Sequence, residues 1–159
     1  MEQQTAERKN VDVQKEQTEI LQLIYKNVKM GSEAIISLLP KVKNTQLRSD
    51  ITEQMAQYDK YAATITDRLS ELGEEPKWSI IDTFPLKAGI TMNTLADSSD
   101  SHIAEMMIQG SNMGIIDIVK KLNAYGEDAD ITEVETELNL LREVMKFEED
   151  CVQKLKKYL

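Results

Sequence analysis

Eight positions near the C-terminus, Val134, Leu138, Leu141, Met145, Glu148, Val152, Leu155 and Leu159, follow at alternating spacings of four and three. That is the stripe a helix turns toward a core, and every member is apolar except Glu148. A lone carboxylate there must reach a hydrogen-bond partner, a cation or solvent, because burying it unpaired costs several kcal/mol. A second pattern lies upstream. His102, Glu105, Gln109 and Asn112 recur at spacings of three, four and three, so they share one helix face. Two orientations are open for that face. It is either the solvent side of an otherwise apolar helix, or it turns His102 and Glu105 inward to meet Glu148, with Gln54 and Tyr58 nearby. The inward arrangement has the chemistry of a single divalent-metal site: one imidazole and two carboxylates on facing helices.

Other reactive groups are few. Cys151 is the one cysteine, excludes an internal disulfide, and reads as a small buried hydrophobe near the seam. No Ser-His-Asp arrangement, phosphate loop or Cys-x-x-Cys occurs. Met30, Met55, Met106, Met107, Met113 and Met145 read as adaptable core filling, without a repeated thioether ladder for copper. Gly31, Gly110 and Gly114 fall inside helical segments, where each costs about 1 kcal/mol against alanine, and so point to close helix approach.

Four long helices must position these groups. The first is expected from Val11 to Leu39, where Pro40 ends it, with Ile20, Leu21, Ile24, Val28, Gly31, Ile35 and Leu38 inward. The second is expected from Asn44 to Leu72, closed by Gly73 and Pro76. A non-helical link, 74–84, leads to a short helix with Pro85 in its first turn, ending near Asp97. The Asp97–Ser101 cluster opens the third long helix, which ends at Tyr125-Gly126. Asp130 with Glu133, or Thr132 with Glu135, opens the fourth by a capping box. Near-equal lengths of about 25 to 29 residues favour a single-layer bundle. The long second connection favours a lengthwise crossover over a simple up-down-up-down order.

At 159 residues the chain reads as a polar N-terminal tail, 1–10, and a single helical-bundle domain, 11–159. A hydrophobic share of 41% against 30% charged excludes a disordered chain. The net charge of −9 argues against nucleic acid as a partner. The basic cluster Lys154, Lys156 and Lys157 suits a helix C-terminus. No stretch approaches the ~20 apolar residues of a membrane span. The single cysteine and the polar opening point to the cytoplasm.

The helix order resembles the ferritin-like superfamily, and the stretch Ser101-His-Ile-Ala-Glu-Met-Met-Ile-Gln-Gly-Ser-Asn-Met-Gly114 is similar to that of small helical proteins of anaerobic Gram-positive bacteria. The resemblance implies an all-α, ferritin-like four-helix bundle with a short extra helix between helices two and three. It also implies a metal centre with oxidation or storage chemistry, in which Glu105 and Glu148 match the carboxylates of helices three and four. Glu33 stands near the helix-one position, and Gln54 or Gln57 near that of helix two. A di-iron bundle needs two Glu-x-x-His pairs. This chain has one histidine and no such pair, since His102-x-x-Glu105 runs in the reverse order.

The expected function is therefore non-catalytic, acting by self-association or partner binding and without a cofactor. The alternative is an iron-type or other divalent-metal protein with a reduced site of Glu105, Glu148 and His102, backed by Gln54 and Tyr58. A two-fold dimer is expected because the third helix is apolar over much of its circumference and because Trp78, Ile80, Ile81 and Phe84 need cover.

Overall fold

The computed structural model describes residues 2–125 and 132–159, with side chains at all of these except 2–6, 8 and 80–84. The described residues form five α-helices: α1 Glu2–Leu38, α2 Thr45–Glu71, α3 Ile80–Ala96, α4 Asp100–Asn123 and α5 Glu135–Leu155. Short 3₁₀ turns follow α1 at Leu39–Lys41 and α5 at Lys156–Tyr158. There is no strand among the described residues.

Local sequence accounts for most boundaries. Pro40 lies in the 3₁₀ turn that ends α1. The Asn44 side chain accepts from the amides of Gln46 and Leu47, both at 2.9 Å, and so caps α2. Gly73 takes φ +73° just beyond α2, a conformation that costs glycine nothing. Ser99 caps α4 by accepting from the His102 amide at 3.2 Å.

Several expected boundaries move. Helix α1 starts at Glu2, not Val11, so the polar opening is part of the helix. Its Glu, Gln, Ala and Lys residues are good helix formers that need no apolar stripe. Helix α3 starts at Ile80, which shortens the link to 74–79 and puts Pro85 inside the helix. Helix α5 starts at Glu135 with Val134 at its N-cap and no capping side chain, so the Thr132–Glu135 box does not form. Asp130 and Gly126 lie outside the described residues. The four long helices have 37, 27, 24 and 21 residues, so their lengths are graded, not equal.

Hydrogen bonds between helix ends give the chain direction. Gln14 and Gln22 of α1 donate to the carbonyls of Leu72 and Glu75 at 2.6 and 2.8 Å, which puts the end of α2 beside the early part of α1. The amides of Lys43 and Asn44 donate to Asp100 at 2.8 and 2.9 Å, which puts the start of α4 beside the end of α1. Residues 72–99 therefore travel lengthwise, carrying α3 along α1. Helices α2 and α4 run in one direction, α1 and α5 in the other. Tyr61 to Glu143 (3.1 Å) and Arg68 to Glu137 (2.7 Å) fix the antiparallel α2–α5 register.

The core lies between α1, α2, α4 and α5. Ile24, Val28, Leu47, Ile51, Ile65, Ile103, Ile118 and Leu141 are all at 0% exposure. Each such side chain contributes roughly 1.5–3 kcal/mol on burial. The closest backbone pairings are α1 with α2 and α4 with α5. Between α2 and α5 stand aromatic rings: Phe147 meets the edges of Tyr58 at 5.4 Å and Tyr61 at 5.6 Å. Trp78 is half-buried, while the side chains of Ile80, Ile81 and Phe84 lie outside the described residues.

Candidate functional site

Among the described residues three carboxylates are buried, and two of them have cations. Glu137 pairs with Arg68 at 2.7 Å. Asp50 is met by Lys157 at 2.9 Å, Lys154 at 3.5 Å and the Tyr158 hydroxyl at 2.6 Å. Burial pulls the Asp50 carboxyl upward, but the bonds from Tyr158 and Lys157 outweigh it and hold the group well below the usual carboxylate range. The basic C-terminal cluster thus serves the fold, with Lys154 also reaching Glu53 at 3.0 Å.

Glu148 is the third, at 1% exposure, and no lysine, arginine or histidine pairs with it among the described residues. Its two oxygens share the Tyr58 hydroxyl of α2, at 2.8 and 2.9 Å. The Ser111 hydroxyl of α4 is near enough to favour its charged form. The Gln54 amide donates to the Tyr58 oxygen at 2.9 Å, one turn earlier on α2. Burial raises the Glu148 carboxyl above its ordinary value, with Ser111 and Tyr58 opposing. Burial, then the Glu148 charge, drives the Tyr58 phenol well above its ordinary range. The same two causes push the Cys151 thiol up to about 12.

Glycine makes room for this layer. A Cβ on Gly31 of α1 would stand 2.5 Å from the Tyr58 ring, so α1 passes directly over the tyrosine. Above the layer lies a cavity of about 230 Å³, floored by Glu148, Tyr58, Gln54 and Ser111. Its walls come from α1 and α4, and Leu86 and Ile90 of α3 close part of it. Met30, Met106, Met107 and Met113 line it, while Met55 and Met145 do not. A Cβ on Gly110 would meet nothing within 4 Å.

Sequence reasoning placed Glu148, Gln54 and Tyr58 together, and the structure joins them. It does not bring His102 and Glu105 to them. His102 Nδ1 faces Glu105 Oε2 at 3.5 Å on the outer side of α4, where the Glu105 side chain is 55% exposed and also accepts from Gln109. The reason is helical phase. Each residue advances about 100°, so a helix that buries Ile103, Met107, Ser111 and Ile118 turns the His102–Asn112 stripe to solvent. Glu33 pairs with Lys87 of α3 at 3.2 Å, away from the floor. No three His, Cys, Asp or Glu side chains converge among the described residues, so Glu105, Glu148 and His102 do not fit a shared metal.

Ser111 and Glu137 were not anticipated. Ser111 had a signal, falling four residues after Met107 and seven before Ile118 on the buried arc. Glu137 had one too, since it precedes Glu148 by 11 residues, close to three helical turns. No described helix is long and apolar enough to cross a membrane. Compared with protein-family models, curated proteins and solved structures, the chain matches none of them.

Proposed function

We propose that this chain is a ferritin-like four-helix bundle, with α3 as the extra helix, that works by binding and not by catalysis, and that it binds a small molecule in the interior cavity. The lengthwise crossover of residues 72–99 supports the ferritin-like reading. The cavity carries the binding reading: a largely apolar chamber with a few convergent polar groups on one wall is the usual form of a small-ligand site. The groups on that wall are poor catalysts at neutral pH. Tyr58 is held protonated, and among the described residues Glu148 has no acid–base partner other than the phenol.

Benzene tests the reading, since apolar cavities of this scale take it up. At about millimolar benzene, amide shifts should change at Met107, Ser111 and Ile35 and stay still at Glu105 and Gln109, which lie off the cavity. Gly110→Leu, which grows into open space, should weaken the effect. Shifts absent throughout, or spread over the whole surface, would refute it.

Self-association is a second reading, favoured by one observation. The outer face of α4 changes along its length from Glu105, Gln109 and Asn112 to Met113, Ile116 and Val119, which are 67%, 52% and 38% exposed. Pairing with a second copy would cover them. Sedimentation at tens of micromolar (roughly) should then show a dimer that Ile116→Ser dissociates, and a wild-type monomer would exclude it.

A further inference from the structure

We infer that the cavity selects a small organic cation, a primary ammonium on a short apolar tail, with the ammonium seated on Glu148. The inference rests on the cavity being a binding site and adds the chemistry of its ligand. A carboxylate offers about four lone-pair positions. Glu148 accepts from one hydroxyl, that of Tyr58, shared between its two oxygens. Glu148 lines the cavity and is buried, at 1% exposure.

The comparison within this protein is direct. Asp50 and Glu137 are also buried, at 4% and 1% exposure, and each holds a lysine or arginine. Glu148 alone of the three has no lysine or arginine partner among the described residues, and it lines the cavity. An ammonium entering that chamber supplies the N–H donors and the counter-charge together. A neutral alcohol supplies only a donor, and an anion meets repulsion. The mouth carries one residue of each sign, Lys26 and Asp117, so the floor sets the preference. The chain's net charge of −9 favours the approach of cations over anions. Scaling from a ~150 Å³ cavity that holds benzene, the chamber takes roughly eight to ten non-hydrogen atoms.

Calorimetric titration of the full chain at pH 7 with n-hexylamine, hexan-1-ol and hexanoate tests this with one tail and three charges. Hexylamine should bind at least about tenfold more tightly than hexan-1-ol, with hexanoate weakest. Glu148→Gln should remove the amine preference and leave hexan-1-ol within about twofold of wild type. Equal affinities, or hexan-1-ol ahead, would overturn the cation assignment and leave the cavity reading standing. An amine preference that survives in Glu148→Gln would mean adsorption to the acidic surface and would overturn it as well. No binding by any of the three, with benzene also inert, would remove the cavity reading itself. If Glu148→Gln does not fold, the wild-type ranking decides alone.

Discussion

Replacing Gly31 by alanine sets two effects of known size against each other. Alanine is the better helix residue by about 0.8–1 kcal/mol, so on propensity alone the variant would be more stable. The new Cβ, however, would stand 2.5 Å from Tyr58 Cε2, 2.6 Å from Cζ and 2.9 Å from the hydroxyl oxygen. Carbon atoms in contact sit near ~3.5–4.0 Å, so the ring or the helix must move by about 1 Å. The ring has little freedom to do so. Its hydroxyl is held by Glu148 and Gln54, and the edge contact with Phe147 backs its face. Keeping the ring in place costs about 1–3 kcal/mol of overpacking. Swinging it away breaks a bond to a buried carboxyl at about the same cost. With the ring held at its hydroxyl the cost lies in the upper part of that range, about 2–3 kcal/mol, and the net expectation is a loss of about 1–2 kcal/mol. Gly110→Ala is the control, since its Cβ meets nothing within 4 Å and should gain about 0.5–1 kcal/mol. The two variants should melt roughly 5–10 °C apart. Urea titration followed by circular dichroism measures both. A Gly31→Ala protein as stable as wild type would refute the placement of α1 over Tyr58.

Three further outcomes are expected. The raised Glu148 carboxyl binds its proton more tightly in the folded chain than in the unfolded one, so wild-type stability should fall as pH rises from about 4 through the folded value. Glu148→Gln lacks this loss, so its stability relative to wild type should improve over that range in urea melts, and a parallel pH dependence would contradict the burial argument. Arg68→Ala leaves Glu137, at 1% exposure, with Gln17 at 3.5 Å as its remaining side-chain partner. Because Arg68 is itself partly exposed, the loss should be about 2 kcal/mol, below the value for a fully buried pair, and a thermal melt lowered by less than about 2 °C would count against it. Cys151, with its thiol near 12, should react with a disulfide reagent at pH 8 on the order of a thousandfold more slowly than a free thiol, and labelling at the free rate would show that the seam is open there.

What the sequence made legible was phase. The four-and-three spacing on α5 carried Glu148 inward because Met145 and Val152 flank it on the same stripe; Met145 itself is only half-buried, Val144 being the buried neighbour, and Leu159 leaves the stripe where the helix has ended. The same reasoning gave Tyr58 from the periodicity of α2. On α4 it left two orientations open, because apolar residues surround nearly the whole helix, and the solvent-facing one for the His102–Asn112 stripe is the one observed. The structure chose the arc holding Ser111 and left Met113 and Ile116 outside. Cations were illegible for a different reason. Lys157 and Arg68 are remote in sequence from Asp50 and Glu137, and only the antiparallel α2–α5 register brings them together. The start of α1 was missed because a helix without an apolar face has no period to read.

The crossover has a consequence for exchange between the chamber and solvent. Helix α3 packs chiefly against α1, through ties such as Lys87 to Glu33 and Lys41 to Thr94, while Leu86 and Ile90 close part of the cavity. Its amides can therefore open without dismantling the layers around Glu148. Hydrogen exchange should separate α3 from α2 and α5 as an earlier-opening unit, and an occupant's residence time would then be governed by the undocking of α3, not by the strength of its bond to the floor.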